Sequence, residues 1–385
     1  MNRVYIIGVG MTRVGRHYDK TLKVLISDAA LEALKDAGFP KIDAIYFSNA
    51  YAGIVDHQEN IAPLIADSLG CHGIPAVRIE CSCSSGGVAV HEGFKAIASG
   101  IHDVVLVIGA EKLSDLDQCS TTSTLTSSED VSYESFQGLT IPGAYALMTR
   151  QYMQTFQVSE EDLAIWPVLM HEHAYHNPYA QIRRRITVRD VIESNPVADP
   201  IKLLDCFSAG DGAAAIVMAS EKIAKGVRDR AVEVIGIGAA TSALHMHERP
   251  DLTRLQGTVD AARQAYTMAK LTPKDIQVIE LHDAFTITGI ISLEDLGIVG
   301  KGEGVKFVAE GMTSKDGKVP TNLSGGLKAR GHPVGATGIY QTAEVALQLR
   351  GEFPGLQAQN DPEVGLVHNV SGTGALTTVT ILRKQ

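Results

Sequence analysis

Thiols are scarce in this chain. Five cysteines are scattered over 385 residues, an odd number, which excludes a disulfide framework and fits a reducing compartment. Long apolar runs are missing as well. No stretch is long enough to cross a bilayer, and the opening MNRVYIIGVG is too short for a secretory signal and lacks a cleavage region. It reads as a first buried strand, and the protein as cytoplasmic. An excess of positive charge is also absent: the net charge is −10, which argues against general nucleic-acid binding. What remains is 45% hydrophobic and 20% charged, an ordinary globular composition. The length suits one large or two fused domains.

Short β-branched runs alternate with amphipathic stretches. Strands are expected at 3–9, 42–48, 75–80, 103–109, 213–219, 231–238, 276–281, 363–370 and 376–382. Helices are expected at 20–37, 59–68, 84–99, 144–156, 159–175, 258–269, 284–296 and 336–350. This alternation predicts an α/β fold with covered, largely parallel sheets. A weak internal repeat runs through it. PKIDAIYFSNA (40–50) matches PKDIQVIELHDA (273–284), and Cys83-Ser84-Ser85-Gly86 with its helix falls against His332-Pro333-Val334-Gly335 with its helix. The repeat predicts two similarly folded halves. Between them, about 116–210, the polar run CSTTSTLTSSED and the one tryptophan, Trp166, fit a lid or covering insertion.

Four stretches carry candidate chemistry. In IECSCSSGG (79–87) a helix is expected to begin just after Cys83. A thiol at a helix start meets unpaired N–H groups, which favour the thiolate, and the small residues let the backbone approach a ligand. Cys81, nearer the strand end, reads as packing. The competing reading of either thiol is an inert core residue. In GGLKARGHPVGATG (325–338) a Pro-stiffened, glycine-rich loop would hold His332 where it can take a proton from a thiol; a structural turn is the alternative. ELHDAFT (280–286) puts His282 and Asp283 at a strand end, where α/β proteins place ligands, or Asp283 simply caps a helix. HNVSGTGA (368–375) is a glycine-rich turn whose N–H groups would face an oxyanion, or a plain hairpin. No metal site is expected. The C-x-C pair lacks a second pair at zinc-ribbon spacing, and HEHAYHN (171–177) lacks the i,i+4 histidines of a helical zinc motif.

Taken in this order, the four stretches resemble the thiolase superfamily over essentially the whole chain. Within it they are similar to the sterol-carrier-protein-type and archaeal acetoacetyl-CoA thiolase branch. The family's C-[AST]-S-G turn is matched by Cys83-Ser84-Ser85-Gly86, its H-D-C-F by His282-Asp283-Ala284-Phe285, and its G-H-P-x-G-A-T-G by Gly331 to Gly338. Its N-x-G-G-x-G is matched, with one change, by Asn369-Val370-Ser371-Gly372-Thr373-Gly374. NPYAQ (177–181) and DGAAA (211–215) look like the covering segment and its return strand.

The resemblance implies an α/β thiolase fold of two duplicated βαβαβαββ halves in five αβαβα layers. Residues 1–115 with 211–230 would form one half, 231–385 the other, and 116–210 the covering domain. It implies a thiolase that cleaves or forms a 3-oxoacyl-CoA through an acyl-cysteine. Cys83, His282 and His332 would be catalytic, with the N–H groups of Cys83 and Ser371–Gly372 as oxyanion hole. Arg183, Arg184, Ser324, Gly325 and Phe285 would contact CoA or substrate. Coenzyme A is then a substrate, with no covalently bound cofactor. The implied partners are a second copy in a dimer and a small zinc-ribbon/OB-fold subunit. Two departures matter: Ala284 stands where this branch carries its second cysteine, and Asn369 and Ser371 where other thiolases carry it. The vacated volume raises the expectation of an α-branched or aromatic substrate such as benzoylsuccinyl-CoA. The alternatives are acetoacetyl-CoA thiolase, a condensing acyltransferase, a retro-aldolase, or a non-catalytic acyl-CoA-binding scaffold.

Overall fold

The computed structural model describes residues 1–385, the side chain of Arg228 excepted. The strands in chain order are β1 (Val4–Met11), β2 (Ala44–Ser48), β3 (Ala76–Ile79), β4 (Val104–Glu111), β5 (Pro196–Ala198), β6 (Ile201–Lys202), β7 (Gly212–Ser220), β8 (Val232–Thr241), β9 (Val278–Glu280), β10 (Val364–Ser371) and β11 (Leu376–Lys384). β5 and β6 make a small ribbon, and the others join in one sheet ordered β3-β2-β4-β7-β1-β8-β11-β10-β9. The two ends of this sheet are copies. Outward from the short antiparallel seam of β1 on β8, one side runs β1, β7, β4, β2, β3. The other runs β8, β11, β10, β9, and then Thr321, bridged in parallel to Ile279.

The sheet is not largely parallel, as the strand–helix alternation had suggested. β2–β3, β2–β4 and β9–β10 are parallel, and the remaining pairs are antiparallel. The return strands β7 and β11 account for this. Each slots between two strands of its half and runs against both, which requires no crossover helix.

A sequence signature explains how each half packs. Gly8 and Gly10 on β1 lie under the helix Leu22–Asp36, where a Cβ would come within 2.3 Å of Ala33 O and 2.2 Å of Ala29 O. Gly236 and Gly238 on β8 lie under the helix Gln256–Ala269, and a Cβ there would come within 2.5 Å of Ala265 O and 2.0 Å of Ala261 O. The Gly-x-Gly strands and alanine-faced helices thus bring backbone onto backbone in both halves. These are the outer helices. Two central helices, Ser85–Ala98 and Thr337–Arg350, pack on each other and on strands of both halves. Thr337–Leu349 is buried throughout, so this second central helix is core on every side.

The small residues after Cys83 serve this core. A Cβ on Gly338 would sit 2.3 Å from Gly87 N, and one on Gly86 would sit 2.8 Å from Gly338 N. The glycine pair lets two helix starts touch, rather than letting the backbone reach a ligand. Between β4 and β7 lies the covering segment, with helices Gln118–Thr126, Ile141–Phe156, Glu160–His176 and Val188–Ile192. The first falls in the polar run that reads as lid loop. Asp117 caps it by accepting Cys119 N and Ser120 N, and Thr121, Thr122 and Thr126 donate their hydroxyls back to carbonyls one turn earlier. No helix among the described residues is long and apolar enough to cross a membrane.

Candidate active site

Cys83 stands on a tight turn, Ser82–Ser84, between β3 and the central helix that starts at Ser85. Ser82 has φ +48°, a left-handed value that a non-glycine residue adopts only when its surroundings force it. Those surroundings are local: Ser85 Oγ accepts from Cys81 N at 2.8 Å and donates to Ser82 O at 2.6 Å. Ser84 Oγ reaches Asn369 O and Leu376 O, both at 3.1 Å, and so ties the turn to the β10–β11 hairpin.

His332 arrives from the other half. Its backbone N–H donates to Ser208 O at 2.8 Å, fixing the loop against the end of the covering segment. The ring lies between Thr337 Oγ1, 2.6 Å from Nδ1, and Cys83 Sγ, 3.4 Å from Nε2. Thr337 Oγ1 donates its own proton to Pro333 O at 3.1 Å. It can therefore only accept from the imidazole, so Nδ1 carries the ring proton and Nε2 presents a lone pair to the thiol.

His282 completes the group. Asn369 Oδ1 accepts Gly87 N–H at 3.2 Å, which turns its Nδ2 toward His282 Nδ1 at 3.1 Å. His282 thus accepts at Nδ1 and carries its proton on Nε2, as a donor. The two imidazoles lie 5.3 Å apart and perpendicular, and donor atoms of Cys83, His282 and His332 fall within 4.8 Å of one another. One base and one donor therefore face one thiol. Such a trio also has the donors for a soft metal ion, while His245, His247 and Glu248, nearer the surface, offer only nitrogen and oxygen donors.

The electrostatics correct one expectation. Burial pushes the Cys83 thiol up to about 11, against weaker opposing hydrogen bonds from Ser82 and the Gly372 N–H. Burial, with the Arg330 charge behind it, pushes His332 down to about 3, and His282 also falls well below its usual range, again chiefly by burial. The resting site is a neutral thiol beside a neutral imidazole, not the preformed thiolate that a helix start alone would favour. Proton transfer to Nε2 must accompany attack. Of Ser371 and Gly372, it is Gly372 whose N–H bears on the sulfur. Ser371 is a strand residue whose carbonyl accepts Gly374 N and Ala375 N.

The remaining residues predicted from sequence separate into groups. Phe285 joins an aromatic wall beside the trio: it stacks on Tyr145 at 4.5 Å and meets Phe207 edge-on at 5.8 Å, and Phe207 in turn meets His332 at 5.0 Å. Ser324 and Gly325 lie behind the loop. Ser324 donates to the buried Glu280 at 2.7 Å, and a Cβ on Gly325 would lie 2.4 Å from Ala174 Cβ. Arg183 and Arg184 are exposed, while Arg185 pairs with Glu172 and lies over Tyr175. Asp283 is a brace. Its carboxylate accepts Leu327 N at 2.7 Å and Trp166 Nε1 at 2.9 Å, and Ala284 packs in the apolar cluster beside it. Cys81 is half-buried, its thiol raised by burial. The histidines at 171 and 173 bond carbonyls of Arg184 and Asn322 from within a helix. Thr337 and Tyr145 escaped the sequence reading; Thr337 lay inside the quoted GHPVGATG motif, and Tyr145, whose hydroxyl donates to Gly372 O at 2.8 Å, carried no local signal.

The family model described as thiolase, N-terminal domain matches residues 4–222, and that described as thiolase C-terminal domain-like matches 238–384. An acetyl-CoA acetyltransferase of Methanothermobacter thermautotrophicus is 44% identical over 386 residues, covering 100% of both chains. Benzoylsuccinyl-CoA thiolase subunit BbsB of Thauera aromatica is 35% identical, covering 96% of this chain and 95% of that one. Among solved structures, the Ltp2-ChsH2(DUF35) aldolase superposes with a TM-score of 0.86 at 25% identity, over 99% of this chain and 98% of that one. Human mitochondrial 3-ketoacyl-CoA thiolase in complex with CoA gives 0.78 at 18%, over 100% and 98%, and shares the fold.

Proposed function

The chain belongs to the thiolase family, and from that premise we propose that it is an acetyl-CoA C-acyltransferase working through an acyl group on Cys83. The observation that carries the reading is the Cys83–His332 pair at 3.4 Å with its tautomer set by Thr337. In thiolysis, Cys83 Sγ attacks the 3-keto carbon as its proton moves to His332 Nε2. The C2–C3 bond breaks and CoA resolves the acyl-cysteine. The N–H groups of Cys83 and Gly372 would hold the tetrahedral oxyanion, and His282 Nε2–H the enolate oxygen. Loss of one such donor typically slows turnover about 10²–10³-fold.

Acetoacetyl-CoA is the preferred substrate in this reading, supported by the full-length likeness to acetyl-CoA acetyltransferases. A second reading, an α-branched or aromatic 3-oxoacyl-CoA such as benzoylsuccinyl-CoA, is favoured by the likeness to BbsB and by Ala284. The packing of Ala284 in the core weighs against a vacant pocket at that position. The division into halves 1–115 with 211–230 and 231–385, around the cover 116–210, is part of this reading. So are a cytoplasmic location and CoA phosphates held by Arg183 and Arg184. A second copy would add at the sheet edge left by β3, where Val77 is 44% exposed. A small second subunit is suggested by the relative that is a subunit and by the ChsH2(DUF35) assembly.

The test is intact-mass spectrometry after incubation with a panel of acyl-CoAs, on wild type and Cys83→Ala. A Cys83-dependent adduct is expected, and its mass names the acyl group. No adduct from any donor, with or without a co-purifying subunit, would turn the reading toward a retro-aldolase or scaffold.

A further inference from the structure

The thiolase reading leaves one proton unassigned. The α-carbon must gain a proton when C2–C3 breaks, and Ala284, Asn369 and Ser371 leave the family's positions for the second cysteine without a thiol to give it. We propose that Glu129, carried in by the covering segment, is the acid and base that serves the α-carbon. This rests on the thiolase reading of the site.

Four observations converge on Glu129. First, it is buried, 7% exposed, although it comes from a polar surface segment. Second, it is applied to the same turn as the nucleophile. Its Oε1 accepts Thr373 N at 2.9 Å, while the neighbouring Gly372 N–H bears on Cys83. A Cβ on Gly372 would lie 2.3 Å from Oε1, so the left-handed glycine (φ +50°) makes the room the carboxyl occupies. Third, among the described residues no ion pair forms on it. Arg249, whose charge reaches it, donates instead to Ala243 O, Leu244 O, Thr373 O and Thr373 Oγ1, and Thr373 Oγ1 passes its proton on to Glu129 Oε2 at 3.2 Å. Fourth, Glu111, the other carboxyl whose charge bears on Cys83, is tied up: it accepts from Asn49 Nδ2, Ala50 N, Tyr51 N and Gly335 N. Asp283 braces Leu327 and Trp166, and Glu134 holds Met246 N through Oε1.

Its protonation suits the task. Burial pushes Glu129 up to about 7, against the Thr373 hydrogen bonds and the Arg249 charge, with Glu134 adding to the rise. Both forms are therefore present near neutral pH, where an acid that must reload as a base works best. The charged and titratable groups facing it are Arg249 and Glu134, with Cys83 and Tyr145 across the turn.

Cys83 S–C3 forms, its proton goes to His332, and C2–C3 breaks with the electron pair on C2. The Glu129 carboxylic acid donates its proton to C2, completing the departing acyl-CoA. The carboxylate then takes the S–H proton of incoming CoA as that sulfur attacks the acyl-cysteine. The Cys83 thiolate leaves and recovers its proton from His332.

The experiment follows washout of the C2 protons of acetyl-CoA into D2O by NMR, on wild type, Glu129→Gln and Glu129→Asp, beside intact-mass measurement of Cys83 acetylation. Acetylation from acetyl-CoA moves no α-proton, and its final extent after long incubation reports folding and the thiolase reading separately; Glu129→Gln is expected to reach that extent more slowly, because the CoA thiolate then leaves without the Glu129 proton. Glu129→Gln is expected to acetylate Cys83 yet exchange C2 protons about 10²–10⁴-fold more slowly. The limb of the pH profile near neutrality is expected to disappear with it, and Glu129→Asp to restore part of the rate. An acetylated Glu129→Gln enzyme exchanging at the wild-type rate, with the same pH profile, overturns this assignment alone. A wild type that never acetylates overturns it together with the reading beneath it.

Discussion

Thr337→Val tests the logic of the site most directly. Valine keeps the volume of threonine and removes the oxygen that accepts the His332 Nδ1 proton at 2.6 Å. That N–H is buried with the ring, 1% exposed, so water cannot replace the partner. Leaving a buried donor unpaired costs about 1–3 kcal/mol. The ring has two responses. It keeps the proton on Nδ1 at that cost, or it moves the proton to Nε2 and presents a donor where Cys83 needs a base. Either way the reactive arrangement is disfavoured by about 1–3 kcal/mol, which at 1.36 kcal/mol per decade slows acylation between about 5- and 160-fold. The assay is the rate of Cys83 alkylation and of acyl-adduct formation across pH, compared with His332→Ala. Thr337→Val is expected to lie between wild type and His332→Ala in both. If it acylates at the wild-type rate with an unchanged pH profile, Thr337 does not set the tautomer, and the assignment of Nε2 as base loses its support.

Two further outcomes follow from the packing. Gly338→Ala would place a Cβ 2.3 Å from Gly87 N and 2.5 Å from Asn369 Oδ1, forcing the central helices apart. Overpacking of this kind costs about 1–3 kcal/mol, so the denaturant midpoint should fall, and an unchanged midpoint would show that the crossing is looser than the structure has it. His91 lies in the core, away from the nucleophile, with its Nε2 at 3.0 Å from Thr380 Oγ1. Burial, the Lys95 charge adding, pushes it down to about 3 from an ordinary 6.5. Its folded value is lowered, so below pH 6.5 only the unfolded chain binds the proton, and stability is lost as pH falls. Relative to His91→Asn, the wild type should lose about 2 kcal/mol between pH 7.5 and pH 5.0 in denaturant titrations; a constant gap would place a protonated imidazole in the core.

Much of this protein was legible along the chain, because the signals are local. β-branched runs and alanine-rich periodicity located the strands and long helices to within a few residues, since side-chain direction follows the backbone period. Cys83 before a helix, His332 in a glycine-proline loop and His282 at a strand end were each visible in a few residues. Other features needed the folded molecule. The largely parallel sheet was a misreading, because β7 and β11 take their direction from where the chain returns, which no strand's own residues encode. The helix over CSTTSTLTSSED hid behind a composition that suits loops equally well. The glycines at 86 and 87 looked like ligand contacts until Gly338, from the far half, was found against them.

The sequence determined which groups are present: one thiol ahead of a helix, two histidines in stiff loops, and no second thiol at the family's positions. Tertiary structure decided what those groups are. Cys83 and His332 are 249 residues apart, and only the pairing of the two halves brings Sγ and Nε2 to 3.4 Å. Burial then keeps the thiol protonated, Thr337 and Asn369 fix opposite tautomers on two like imidazoles, and the covering segment lowers a carboxyl onto the turn beside the sulfur. Protonation and tautomer depend on desolvation and on the nearest partner, and both are properties of the folded neighbourhood rather than of the residue.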